Sequence, residues 1–290
     1  MSQALISGLA NGGVYALLAV GIVLVYRGSR VLNFAQGEMG TFGLFVAFWL
    51  IEEVGTPWFI GAIGAIGAVS LIGFLFERIV VRNMGEAPRL TVAVATIGLL
   101  LLLFALELKI FGPSPRVLRP PITGLGVQIA GFFVSPTQLL ALLTAVGLGF
   151  ALAAFLKKTD FGLGVLAAAQ DTGATRLVGI KVSRVSAFTW ALAGGVSAVA
   201  ALLIEPTIGL FAAGFMTGLF VRALAAALLG GLTSLPGAFV GGVAVGVIEA
   251  VVGQRFVQSS FPGIQSVSVM VVIVLVLLIR PQGLFGKAAT

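Results

Sequence analysis

The chain reads as an all-α, polytopic integral membrane helical bundle of about 8–10 transmembrane helices. Three observations point there. Of its 290 residues, 59% are hydrophobic and 9% charged, against about 45–50% apolar and about 25% charged in an ordinary soluble domain. A soluble fold has no interior large enough for that much apolar surface. Uncharged apolar stretches recur along the chain, at 1–26, 54–76, 120–156, 185–204, 223–248 and 256–279, and roughly 18 such residues in a helix suffice to cross bilayer hydrocarbon. The basic residues, finally, sort onto alternating loops.

Nine crossings follow in order, near 4–26, 33–51, 57–76, 90–106, 135–156, 185–204, 213–230, 234–253 and 263–279. The first does not read as a secretory signal, since it lacks a basic leader and arginines with more apolar runs follow it. Segment 213–230 is open to being a half-helix. Of the 17 basic residues, twelve fall in loops on one side, four (Lys109, Arg116, Arg119 and Arg255) on the other, and Arg222 lies within a crossing. The positive-inside rule then places the N-terminus outside and the C-terminus in the cytoplasm, and accounts for the net charge of +7 without any nucleic-acid partner. The whole chain, 1–290, is one transmembrane domain with an external loop at 107–134, rich in proline and glycine and able to hold a hairpin, and a cytoplasmic loop at 157–184. Glycines at close spacing, such as Gly61, Gly64 and Gly67 or Gly237, Gly241, Gly242 and Gly246, mark helices packed backbone to backbone.

Several chemistries are excluded by composition. The chain has no Cys and no His, which removes thiolate and imidazole metal sites, Cys nucleophiles and His bases. Its ten acids are scattered along the chain, so no carboxylate cluster for a metal ion is expected. Gly286-Lys287 is followed by Ala288, and no phosphate-binding Gly-x-x-x-x-Gly-Lys-Ser/Thr loop occurs. We therefore expect no catalytic residues, no cofactor and no metal in this chain. Energy for any transport has to come from another one.

The cytoplasmic loop is the most informative stretch outside the membrane. Residues 161–180 read as an alanine-rich helix, a break at Asp171-Thr172-Gly173, and a second short helix. There, Ala169-Gln170-Asp171, Ala174, Arg176-Leu177 and Gly179-Ile180 resemble the coupling loop of the branched-chain amino-acid ABC permeases. Asn33-Phe34-Ala35-Gln36-Gly37-Glu38 is similar to that family's Asn-Phe-Ala-His-Gly-Glu, with Gln36 in place of His. Arg222, Leu229-Gly230-Gly231, Pro236-Gly237-Ala238 and the glycines up to Glu249 match a further family stretch, and Arg280-Pro281-Gln282-Gly283-Leu284-Phe285-Gly286 matches its ending. Leu163 and Leu166 depart from the pattern, standing where members often carry arginines.

The resemblance implies a membrane subunit of an ABC importer in the cell (inner or plasma) membrane. It implies a second homologous permease, two ATP-binding cassette subunits that alone bind ATP and Mg, and a soluble substrate-binding protein. Ala169, Gln170, Asp171, Ala174, Arg176, Gly179 and Ile180 are then the residues that meet the ATPase. Asn11, Asn33, Gln36, Glu38, Thr217, Arg222 and Glu249 are candidates for the translocation path. Each also has a plainer reading: Glu38 as a partner of a helix N-terminus, Arg222 and Glu249 as a mutual ion pair, Asn11 and Thr217 as bridges between helices. Glu205, before Pro206, reads as solvated. The cargo implied is a branched-chain amino acid, with urea, amides or another small solute in the same architecture as an alternative. An ion-coupled secondary transporter using Glu38 or Glu249 is the other reading.

Overall fold

The computed structural model describes residues 2–85, 87–124, 126–129, 132–256, 263–280 and 282–286. Its helices are α1 (Ser2–Ser29), α2 (Gln36–Phe48), α3 (Trp58–Phe76), α4 (Arg89–Phe111), α5 (Pro136–Lys158), α6 (Asp160–Gln170), α7 (Thr172–Leu177), α8 (Val182–Ile208), α9 (Thr217–Gly230), α10 (Leu235–Arg255) and α11 (Ile264–Ile279). A two-stranded hairpin, β1 (Val127–Ile129) with β2 (Phe132–Val134), lies between α4 and α5. Residue 281, within the closing motif, and residues 287–290, after it, lie outside the described residues.

Six of these helices are long and apolar enough to cross a membrane: α1, α3, α4, α5, α8 and α10. The remaining three predicted crossings are shorter. Helix α2 has 13 residues and continues through a π-helical stretch, Trp49–Glu53; α9 has 14 and α11 has 16. The reason at α9 is visible in the chain before it. Gly209 (φ 87°) and Gly214 (φ 78°) turn the backbone, so that 209–216 runs without helix and α9 starts only at Thr217. Within segment 213–230 the helix thus covers Thr217–Gly230, 14 residues.

Burial sorts the long helices into two classes. Within their apolar windows α1 is 89% and α8 78% buried, against 28% for α3 and α4 and 22% for α5. Helices α1 and α8 are the central pillars; the others turn Ile60, Ile63, Leu101, Leu102, Leu143 and Phe150 outward, as lipid-facing helices do. Lipid supplies no hydrophobic drive for helix association, so close van der Waals fit has to do it. The α1–α10 seam shows how close. A Cβ on Gly242 would lie 2.3 Å from the Ala16 Cα, and one on Gly246 equally near the Gly12 Cα. Only glycine admits that approach.

Helix ends follow ordinary capping. Ser135 and Gln138 form a capping box at α5, Thr159 caps α6 through Gly162 N–H, and Ser234 caps α10 through Gly237 N–H. At one end of the bundle Arg82 pairs with Glu77 (3.0 Å) and donates to the Ser183 carbonyl at the start of α8. At the other, Arg119 reaches Glu52, and Arg116 and Phe211 exchange backbone hydrogen bonds.

Candidate functional site

Two polar groups sit among the helices of the bundle, and they divide the predicted path residues between them. The first joins α1, α9, α10 and α11. Arg222 Nε donates to Glu249 Oε1 at 2.7 Å, and Tyr15 Oη donates to Glu249 Oε2 at 2.8 Å. The guanidinium also donates to the Gly218 carbonyl (3.1 Å) and to Ser266 Oγ (3.4 Å). Neither member of the pair is sealed: 24% of the Arg222 side chain and 13% of the Glu249 side chain remain accessible. They open onto two adjoining cavities. One, about 330 Å³, is lined by Ser7, Asn11, Tyr15, Glu249, Gln254 and Gln265; the other, about 390 Å³, by Asn11, Tyr15, Phe215, Gly218 and Arg222. Asn11, Arg222 and Glu249 thus share one wall.

A charged pair partly open at this depth cannot face hydrocarbon, because a charge at the bilayer centre costs at least about 2.5 kcal/mol. It needs water or a protein partner in front of it. Chemically the wall offers a cation, an anion, a phenol and amides within one surface, the set that suits a small zwitterion.

The second group is closed. Helix α2 begins deep in the bundle, where Gln36 Nε2 donates to the Leu18 carbonyl of α1 (3.2 Å) and Asn33 Oδ1 accepts from Ala35 N–H (3.0 Å) to turn the chain into the helix. Glu38 then lies in the first turn of α2, earlier in its helix than the sequence suggests, with Oε1 accepting from Gly214 N–H (3.1 Å) and Oε2 from Thr217 Oγ1 (3.4 Å). Thr41 accepts from Met216 N–H (3.1 Å). The acceptors of α2 therefore hold the non-helical segment 209–216 and the start of α9. Glu38 is 1% exposed and Glu107, which faces it, is fully buried. Neither has a basic partner among the described salt bridges, and no donor side chain reaches the Glu107 oxygens. Asn33, Gln36, Glu38 and Thr217 serve as fasteners here, apart from the cavity wall.

The segment 157–184 stands outside both. Helix α6 packs on α5 and α8 through rings, Phe161 against Phe188 with centroids 4.7 Å apart and Phe155 against Phe188 at 5.6 Å. Asp171 caps α7, accepting from Gly173 N–H (2.7 Å) and Ala174 N–H (3.0 Å). Gly179 has φ 83°, a left-handed turn that returns the chain to α8 through Ile180. Ala169 and Gln170 end α6; Ala174 and Arg176 lie on α7. Between them the hairpin leaves Leu177 89% and Val178 74% exposed.

Two acids are placed differently from the sequence reading. Glu205 is not solvated: it is fully buried near the end of α8, and its Oε1 accepts from Leu118 N–H (3.1 Å), so the chain around Leu118 folds over it. Glu107 belongs to α4, which runs to Phe111, and not to the loop 107–134. Tyr15 is not among the residues the sequence singles out, although it follows Asn11 by one helical turn and so shares its face. A signal for Glu107 was also present, since the apolar helix 90–106 needs only one more turn to include it.

The comparisons with known proteins agree with one another. The family model described as "Branched-chain amino acid transport system / permease component" matches residues 4–279. The high-affinity branched-chain amino acid transport system permease protein LivH of Salmonella typhimurium is 31% identical, over 98% of this chain and 95% of that protein. The corresponding permease BraD of Pseudomonas aeruginosa is 29% identical, again over 98% and 95%. The autoinducer 2 import system permease LsrC of Salmonella paratyphi B is 32% identical over 43% of this chain and 32% of its own length.

Proposed function

The chain belongs to the branched-chain amino acid transport permease family, and from that premise we propose that it carries branched-chain amino acids into the cytoplasm as one membrane subunit of an ABC importer. In this reading the N-terminus is outside and the α6–α7 hairpin inside, as the basic loops suggest. A second homologous permease closes the Arg222–Glu249 wall into a path, two ATPase subunits grip the hairpins, and a soluble binding protein delivers the ligand.

The observation that carries the proposal is the tip of the hairpin. Leu177 and Val178 project from a protruding turn, beyond the long apolar helices, with most of their surface bare. Apolar side chains so presented mark a surface for another protein, and a transporter working alone has no use for one there. Ala169, Gln170, Asp171, Ala174, Arg176, Gly179 and Ile180 form and shape that tip. At the site, Arg222 suits the ligand carboxylate and Glu249 its ammonium group, with Asn11 beside both. The ATP and Mg of the cycle stay with the partner chains.

Co-expression with the ATPases and reconstitution into vesicles tests this. Replacing Leu177 by Asp is expected to abolish retention of the ATPases and ligand-stimulated hydrolysis while leaving the permease folded in the membrane. Uptake driven by an ion gradient through this chain alone would overturn the proposal in favour of a secondary transporter.

A further inference from the structure

The hairpin and the cavity wall lie at separate places in the bundle, and one residue connects them. Arg30, just past the end of α1, has φ 58°, the only positive φ among the described non-glycine residues. A left-handed backbone without glycine is disfavoured and persists where surrounding structure holds it. Here it accompanies a particular aim of the side chain: Arg30 Nη2 donates to the Ala169 carbonyl and reaches the Gln170 carbonyl (3.5 Å), the last two residues of α6. Terminal carbonyls of a helix lack intrahelical donors and carry the negative end of its dipole, so a guanidinium satisfies both needs.

The rest of α1 is built to transmit. Its end is locked to α8, with Gly28 too close to Thr189 for any side chain and Ser29 Oγ accepting from Trp190 Nε1 (3.3 Å). Arg27 donates to the Thr233 carbonyl (2.9 Å from Nε) in the turn between α9 and α10. Its middle is packed against α10 at Gly12, Ala16, Gly242 and Gly246, where no side chain intervenes to yield. The same turns of α1 bear Asn11 and Tyr15, and Tyr15 holds Glu249.

We propose that Arg30 is a positioning residue of the transport cycle: it fastens the α6–α7 junction to α1, and the α1–α10 unit carries displacement of the hairpin to the Arg222–Glu249 wall. This rests on the ABC-importer reading above. The Phe155, Phe161 and Phe188 rings hold the body of α6 to its neighbours in sequence. At its end, where Ala168 is packed into the core, Arg30 adds the hydrogen bonds to the terminal carbonyls, next to the turn an ATPase would grip.

The test uses the assembled complex in vesicles, comparing the unmodified chain, Arg30→Ala and Arg30→Lys for ATPase retention, basal hydrolysis and solute moved per ATP. Arg30→Ala is expected to keep the first two and to lower solute per ATP about tenfold, the scale of a lost charge-assisted hydrogen bond. Arg30→Lys should recover part, because an ammonium reaches one carbonyl where the guanidinium reaches two. Unchanged solute per ATP in Arg30→Ala, or a lysine variant no better than alanine, overturns the proposal. So does loss of the ATPases in Arg30→Ala alone, which would make Arg30 part of the docking surface. If the unmodified chain also retains none, the importer reading itself fails, a result that cannot be confused with a defect confined to the variants.

Discussion

Arg222–Glu249 and Glu38–Glu107 both lie among the helices of the bundle, yet they are opposites. The first pair is charge-balanced, held by Tyr15 and Ser266, and open to a cavity. The second is two acids with no cation, shut in by the segment 209–216. A charge costs too much among apolar helices to be left alone, so the balanced pair can stand beside water, whereas Glu38, which has no cation in the described salt bridges, gives its oxygens to Gly214 N–H and Thr217 Oγ1. The difference separates a surface suited to handling a zwitterion from a fastening between α2, α4 and the start of α9.

That contrast can be broken most sharply by the same chemical change made in both places. Glu249→Gln strands the Arg222 guanidinium, and we expect a loss of about 3 kcal/mol in unfolding free energy, read by denaturation in mild detergent, together with loss of uptake. The double exchange Arg222→Glu with Glu249→Arg should recover most of the stability and little of the uptake, since the signs facing the ligand are reversed. Glu107→Gln should behave otherwise. The amide supplies a donor to Glu38 and removes one of two like groups, so stability is expected to hold or rise by about 1 kcal/mol; a loss comparable to that of Glu249→Gln would show that the two sites are not distinct in kind. Tyr15→Phe removes one hydrogen bond to a charged group, and a loss of about 1.5 kcal/mol is expected, with uptake reduced more than stability if Tyr15 orients Glu249 at the wall.

The split between the two pairs shows where sequence reasoning reached its limit. Asn11, Glu38, Thr217, Arg222 and Glu249 all drew notice for the same reason, polar groups in apolar runs, and that reason has no distance in it. Thr217 and Arg222 are five residues apart on one helix and serve different groups. Glu205 misled because a Pro206 after it suggests a helix end at the water surface, whereas α8 continues through the proline to Ile208 and the chain from Gly112 returns to cover it.

What the sequence determined by itself is the class of molecule. Apolar runs long enough to cross a bilayer, glycines spaced for close helix contact and a loop with two short helices are local facts, set by solvent and backbone chemistry within one segment. Only the tertiary structure decided the pairings: α1 as a buried pillar, Arg30 on the end of α6, Tyr15 on Glu249, Glu107 against Glu38. Each joins residues distant in the chain, and a polar group in hydrocarbon takes whichever partner the packing of the helices brings within reach.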